Sequence, residues 1–500
     1  MHAAALSSMW RRIRGRSGAW GVWRGAVWAL GWVLLHGPVP AQTAPPALPP
    51  AVEAALAQAQ LPPQALSVEV VPLGGSSPRL SYRAEAPVNP ASLMKLITTY
   101  AALDLLGPAY TWSTPVYVEG RVGDGVLHGT LYLQGQGDPK LVVERLWLLL
   151  RRVQQLGIRE IRGDIVLDGS AFEVPPGDPG AFDEEPWRPY NVLPDALLIN
   201  YKSIVLGFVP DVARGRAWVT VEPPLHGFAV DPWVPLDFGA ACSDWRAQLR
   251  AELGDPSRLR FRGAYPARCG ENSWAIAHGD PRRYNAQAVL GVWLSLGGQL
   301  SGTVREGRVP EGLTPVLAAT SPPLAEEVRD INKFSNNVMA RQLFLTLGRE
   351  RCGRGDLASS RAVVEDWLRG RLGGLDPSVV LDNGAGLSRE ARASAAFFTR
   401  LLQSAWADPV MPEFIASLPA SGRDGTLRRS RIEPGRAYLK TGSLRDVAAL
   451  AGYVLGDSGQ RYSFVAIVNH PRAAAARPVL EALVAWAMHD RPLGVGRSPQ

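Results

Sequence analysis

Two of the five lysines in this 500-residue chain sit in short strings whose residue types could carry out acyl transfer. Lys95 closes Ser92-Leu93-Met94-Lys95, and Lys440 opens Lys440-Thr441-Gly442. Between them lies a single Ser-x-Asn string, Ser335-Asn336-Asn337. The other basic residues are 48 arginines, so solubility alone does not account for lysine here. Arginine stays protonated at any working pH, whereas burial or a nearby cation can make lysine neutral. A neutral Lys95, three residues after Ser92 on a helix, would share its face and could take its proton. The helix N-terminus would favour the negative charge that develops on attack. Lys440 is the second cation that would hold Lys95 neutral.

The other two strings suit substrate binding. Lys440 and Thr441 end a strand (RAYLKTG) where their side chains could bind a carboxylate, and Gly442 would let an extended substrate lie against the strand edge. Ser335 and Asn337 interrupt the apolar stripe of EVRDINKFSNNVMARQLF, which predicts a kink or loop facing a cleft. Taken singly, each string also fits an ordinary helix surface pair, a turn glycine after a strand, or a solvated helix face. Their joint occurrence, once each and in this order, carries the reading.

Several elements must position these residues. Residues 65–84 alternate in polarity around Gly74-Gly75-Ser76-Ser77 and predict a hairpin. A helix is expected from near Pro90, with Asn89 as its cap, to Gly107-Pro108. From about 118 to 281 short strand-like pieces alternate with Gly, Pro and Asp, with one helix near 141–156. This predicts a mainly β insertion of two small subdomains. Helices are expected near 284–298, 323–347, 356–372, 391–408 and 475–488, and strands near 436–442, 446–456 and 461–469. Helices around an antiparallel sheet built from both chain ends is an α+β arrangement. The domains expected are therefore 42–117 with 282–500, and 118–281 between them.

Residues 1–41 read as a signal peptide. Five arginines precede an apolar run of 11 residues, Gly25–Leu35, and Val39-Pro40-Ala41 suits cleavage. An uncleaved anchor is the alternative, but the run is short for a stable bilayer span. Without residues 1–41 the formal charge falls from +7 to +2, which removes the argument for nucleic-acid binding. Export makes a Cys242–Cys269 disulfide reasonable, contributing roughly 3 kcal/mol for that loop length. Cys352 is left over and expected to be buried. No cofactor is implied, and no His/Cys pattern suggests a metal.

The three strings together occur in penicillin-binding proteins and class A β-lactamases. The mature chain resembles the D-alanyl-D-alanine carboxypeptidase/endopeptidase family of the penicillin-binding protein 4 type (peptidase family S13). PASLMKLITTYAALDLLG, GTLYLQGQGDPKL, LDNGAGLSR and SGRDGTLRRS carry that resemblance, as does the 243-residue spacing from Ser92 to Ser335. One departure is Ala385, where the family more often has serine. The resemblance implies a penicillin-binding fold with a large insertion, peptidoglycan stem peptides as substrate, β-lactams as covalent inhibitors, and a periplasmic location. It implies Ser92 as nucleophile, Lys95 as base and Ser335 as proton relay. Asn337 would bind the peptide amide, Lys440 and Thr441 the terminal carboxylate, and the N–H groups of Ser92 and Ser443 the oxyanion. Arg389 would bind the free carboxylate of a diamino acid, with Asp183 or Glu185 reading its amino group. Two rivals remain: a serine β-lactamase, though nothing between Lys95 and Ser335 resembles the usual acidic loop, and a peptidoglycan-binding scaffold without catalysis.

Overall fold

The computed structural model of the chain describes residues 48–490 apart from 256 and 375. The expected signal peptide and most of the Pro-rich segment 42–50 lie outside the described residues. The central sheet has five antiparallel strands. They are β1 (Leu66–Pro72), β2 (Leu80–Tyr82), β3 (Ala437–Leu444), β4 (Val447–Leu455) and β5 (Arg461–Asn469), in the order β3-β4-β5-β1-β2. β1 pairs with β5 over its whole length, Val70 opposite Phe464, so the two ends of the chain meet in one sheet.

Both faces of this sheet are covered, which is why β4 and β5 read as almost unbroken apolar runs. On one face Val70, Phe464 and Val468 pack with Val52 and Leu483 of α1 (Pro50–Ala59) and α7 (Arg477–Met488). On the other, Ala451, Tyr453, Val465 and Ile467 meet a larger helical cluster. Its members include α2 (Met94–Leu106), α3 (Leu324–Lys333), α4 (Asn337–Cys352), α5 (Leu357–Leu372) and α6 (Ala395–Trp406). The helical pattern of 323–347 is thus two helices, α3 and α4, broken at 334–336.

The intervening segment is mainly β, as its Gly- and Pro-punctuated texture predicts. Its strands fall into sheets of five, three and seven strands among the described residues, the last including Leu317–Thr320 paired with Ser113–Gly123. The helix Val143–Gln155 packs Leu146, Leu149 and Leu150 into the same apolar cluster as these sheets. Cys242 and Cys269 are joined by a disulfide. Cys352 is exposed rather than buried, because it ends α4 just before a left-handed Gly353.

Candidate active site

Ser92 lies in a 3-10 turn, Ala91–Leu93, that leads directly into α2. Asn89 anchors this turn: its side chain accepts from the Ala91 N–H (2.9 Å) and donates to the Ser388 carbonyl (2.9 Å). Ala91 has φ +48° and Ser335 has φ +55°, both in a region that non-glycine residues rarely occupy. Such residues cost about 1–3 kcal/mol each and persist where surrounding structure enforces them. Here one directly precedes Ser92 and the other is the second serine of the site itself.

Lys95 is wholly buried, and its amine meets three groups. Nζ lies 2.6 Å from Asn337 Oδ1, 2.6 Å from the Ala385 carbonyl and 3.1 Å from Ser92 Oγ. Two of these are pure acceptors and the third is a hydroxyl. A neutral amine has two N–H donors and one lone pair, so it can satisfy both carbonyls and still accept the Ser92 proton. Burial holds Lys95 well below the ordinary lysine range, reinforced by Lys440 and Arg341. Arg341, one helical turn beyond Asn337 on α4, went unrecognised in the sequence because arginines are plentiful here and nothing marked this one as lying near Lys95. Its guanidinium donates to the Val192 carbonyl at 3.4 Å.

The Ala385 contact explains why the departure from serine is harmless to this network. Lys95 uses the backbone carbonyl, which every residue type supplies.

Ser335 occupies the break between α3 and α4, where Asn336 caps α4 by accepting from the Met339 N–H at 3.1 Å. Asn337 then starts α4 with its Oδ1 turned to Lys95, leaving its Nδ2 available to a ligand. Lys440 approaches from the sheet: its Nζ donates to Ser335 Oγ and to the Thr441 carbonyl, both at 2.8 Å. It too is fully buried, and burial pushes it down to about 7. The sequence reading treats Lys440 as a standing charge; the structure makes that charge depend on pH near neutrality.

β3 is an edge strand; Ala437 and Leu439 bond Ser421 and Pro419 on its outer side, and beyond them that side is free to pair with an extended ligand. Gly442 also serves a need that the sequence did not show. A Cβ at this position would fall 2.7 Å from the Pro90 carbonyl oxygen and 3.4 Å from Ala91 Cβ. Glycine therefore lets the strand approach the nucleophile's turn. Ser443, the next residue, is exposed.

Arg389 and Asp183 line one cavity of about 450 Å³, together with Phe182, Tyr190, Asn337 and Ser443. The Arg389 guanidinium stacks 4.6 Å from the Phe182 ring and lies 3.5 Å from Asp446. Asp183 is fixed by the Tyr190 hydroxyl (2.9 Å) and the Asn191 amide (2.7 Å). Glu185 instead pairs with Arg188 at 2.8 Å and does not line this cavity. Among the described residues no group of three or more His, Cys, Asp or Glu could hold a metal ion.

Fold and site together place the chain among the active-site-serine enzymes of the penicillin-binding and β-lactamase fold. More narrowly, it belongs to the D-Ala-D-Ala carboxypeptidase 3 (S13) family, which matches residues 48–489. It is similar to a D-alanyl-D-alanine carboxypeptidase of Actinomadura sp. (strain R39), 30% identical over 434 residues that cover 81% of this chain and 78% of the relative. It also resembles the carboxypeptidase DacB of Haemophilus influenzae, 24% identical over 390 residues, covering 76% and 80%. The crystal structure of penicillin-binding protein 4 from Haemophilus influenzae superposes with a TM-score of 0.69 at 22% identity, covering 87% of this chain and 99% of that one. This last likeness confirms the expected α+β fold with its large mainly β insertion.

Proposed function

We propose that the chain releases the terminal D-alanine of peptidoglycan stem peptides, and opens D-alanine cross-links, through a Ser92 acyl-enzyme that β-lactams also form. The observation that carries this is the Lys95 amine, buried and shared between two carbonyls and the Ser92 hydroxyl. Lys95 takes the serine proton as Ser92 Oγ attacks the carbonyl between the two D-alanines. The N–H groups of Ser92 and Ser443 hold the oxyanion. Ser335, bonded to Lys440, passes a proton to the leaving amine as the C–N bond breaks. Water then hydrolyses the ester and returns Ser92. Asn337 orients the peptide amide, Lys440 and Thr441 receive the terminal carboxylate, and Gly442 brings that strand up to the nucleophile.

The Arg389–Asp183 cavity supports a diamino acid in the stem peptide. A guanidinium and a carboxylate in one pocket match the carboxylate and ammonium of such a side chain. Of the two acidic candidates the geometry favours Asp183. The sequence divides the chain into a catalytic domain, 42–117 with 282–500, and an insertion, 118–281. Leu317–Thr320 pairs with Ser113–Gly123, however, and Trp293 packs in the insertion's apolar cluster, so we read the insertion, with its small subdomains, as reaching from about 113 to 320. Export to the periplasm through residues 1–41 fits the Cys242–Cys269 disulfide. Among the described residues no helix is long and apolar enough to cross a membrane.

Replacing Ser92 with alanine tests the mechanism. The expected result is a folded protein that neither releases D-alanine nor takes up a fluorescent penicillin. D-alanine release at the wild-type rate would sink the serine mechanism, and rapid nitrocefin turnover by the wild type would favour a β-lactamase.

A further inference from the structure

SGRDGTLRRS and Lys333 are left without a role by the mechanism above, and the structure brings them together. Lys333 ends α3, two residues before Ser335, and is only 5% exposed. Its three ammonium protons are all used, on the Leu418 carbonyl (2.6 Å) and on both Asp424 oxygens (2.9 and 2.7 Å). Asp424 Oδ1 also accepts from the Ala420 N–H at 2.9 Å, which closes the loop on itself. The next residue, Gly425, has φ +54°, and a Cβ there would lie 2.5 Å from the Lys333 carbonyl oxygen. Only glycine permits this approach. The residue after it, Thr426, is delivered to the substrate-binding strand: Thr441 Oγ1 donates to Thr426 Oγ1 at 2.9 Å.

We propose that Thr426 is a specificity-determining residue whose hydroxyl, with that of Thr441, completes the receptor for the substrate's terminal carboxylate. The Lys333–Asp424 pair is its positioning device. Thr426 is exposed and Thr441 is half-buried, so both hydroxyls are open to a ligand laid along β3. With Thr441 donating to Thr426, the Thr426 proton is free to donate outward. When a carboxylate arrives, Thr441 turns its proton from Thr426 to the ligand, so that each hydroxyl donates to one carboxylate oxygen, and such charge-assisted bonds are stronger than the neutral one given up. The anchor ties this receptor to the end of the helix that leads into Ser335. The carboxylate site and the proton relay thus keep a fixed relation.

This inference rests on the proposed carboxypeptidase reading, and the test separates the two. Wild type, Thr426→Val and Thr426→Ser would be compared on a D-Ala-D-Ala peptide and on the same peptide ending in a primary amide. For the wild type we expect faster turnover of the free acid. In Thr426→Val the ratio of kcat/KM for acid over amide should fall about tenfold, the size of one charge-assisted hydrogen bond. The fall should lie mostly in KM for the acid, and Thr426→Ser should restore the ratio. An unchanged ratio in Thr426→Val would reduce the loop to scaffolding and overturn the proposal. A wild type that hydrolyses neither peptide would overturn the carboxypeptidase reading and this inference with it.

Discussion

Two of the places where this protein buries ionisable groups treat them differently. In the cleft, Lys95 and Lys440 are fully buried and neither has a carboxylate partner among the described residues, although Lys140, Lys202 and Lys333 each pair with an aspartate. Where α3 meets the segment around Asp138–Arg145, the buried group is an acid. Glu327 is fully buried, neither of its oxygens has a hydrogen-bond partner among the described residues, and burial pushes it up to about 8. Asp138 beside it is raised too, chiefly by burial, although Arg145 lies 2.7 Å away. Burial disfavours the charged form at both places. The difference lies in what receives the neutral form. The Lys95 amine finds two acceptors and a hydroxyl, an arrangement fit for proton transfer. The Glu327 carboxyl finds no hydrogen-bond partner among the described residues, so its burial is a cost to folding.

The strongest way to break this contrast is to put a permanent charge in the cleft. Lys95→Arg cannot accept a proton, and acylation by a fluorescent penicillin should slow by roughly a thousandfold, within the range for a lost general base. A rate within a few-fold of wild type would remove Lys95 from the proton's path. Next in size is Lys440→Ala. It removes a carboxylate partner and should cut kcat/KM on D-Ala-D-Ala peptides by about a hundredfold. It should also raise the Lys95 pKa, moving the acid limb of the pH profile to higher pH. In the wild type, Lys440 loses its charge as pH rises through about 7, so kcat/KM should decline above that point. A profile flat from neutral to alkaline pH would contradict this.

Smaller effects sharpen the same contrast. Arg341→Met removes the weaker of the two cations acting on Lys95. The acid limb of penicillin acylation should move to higher pH, by less than in Lys440→Ala, while the plateau rate stays the same. Least visible in activity is Glu327→Gln. Glu327 is raised above the unfolded carboxylate value of about 4.5, so the native state holds a proton that the unfolded chain releases. Wild-type stability on this account is fully present below about 4.5 and declines as pH rises to about 8. The Gln variant should gain a few degrees in Tm at pH 8 and nothing at pH 4, with acylation unchanged. Equal gain at both pH values would mean packing rather than ionisation.

Much of this was legible because chemistry constrains residue types. Only lysine could serve at 95, and the Ser335-Asn336-Asn337 interruption in an apolar stripe foretold the break between α3 and α4. Strands β3 and β5 followed from apolar runs and their punctuation, although β3 runs past the expected end at Gly442 to Leu444. What escaped depends on contacts between distant segments. Nothing local distinguishes Arg341 from the other arginines, and only the fold shows that it is half-buried near Lys95. A second reason for Gly442 was out of reach, because the obstacle is a carbonyl some 350 positions earlier, at Pro90. Ala385 acts through its backbone, to which a side-chain pattern is blind. Cys352 looked like a core residue by type, yet its position at the end of α4 leaves it in solvent.

The pairing of β1 with β5 has a consequence for how this protein comes into being. Val70 finds Phe464, and Leu66 finds Val468, only when nearly the whole chain has been made. Pairings of such long sequence separation form slowly, because closing the loop costs entropy before any contact is gained. The strands between Ser113 and Thr320 need no such wait, since their partners lie within the same stretch. On this ground the sheet that presents Lys440 is expected to close after the strands of the insertion. Until then Ser92 has no second lysine beside it and no strand edge along which to hold a peptide, so an incomplete chain is chemically silent.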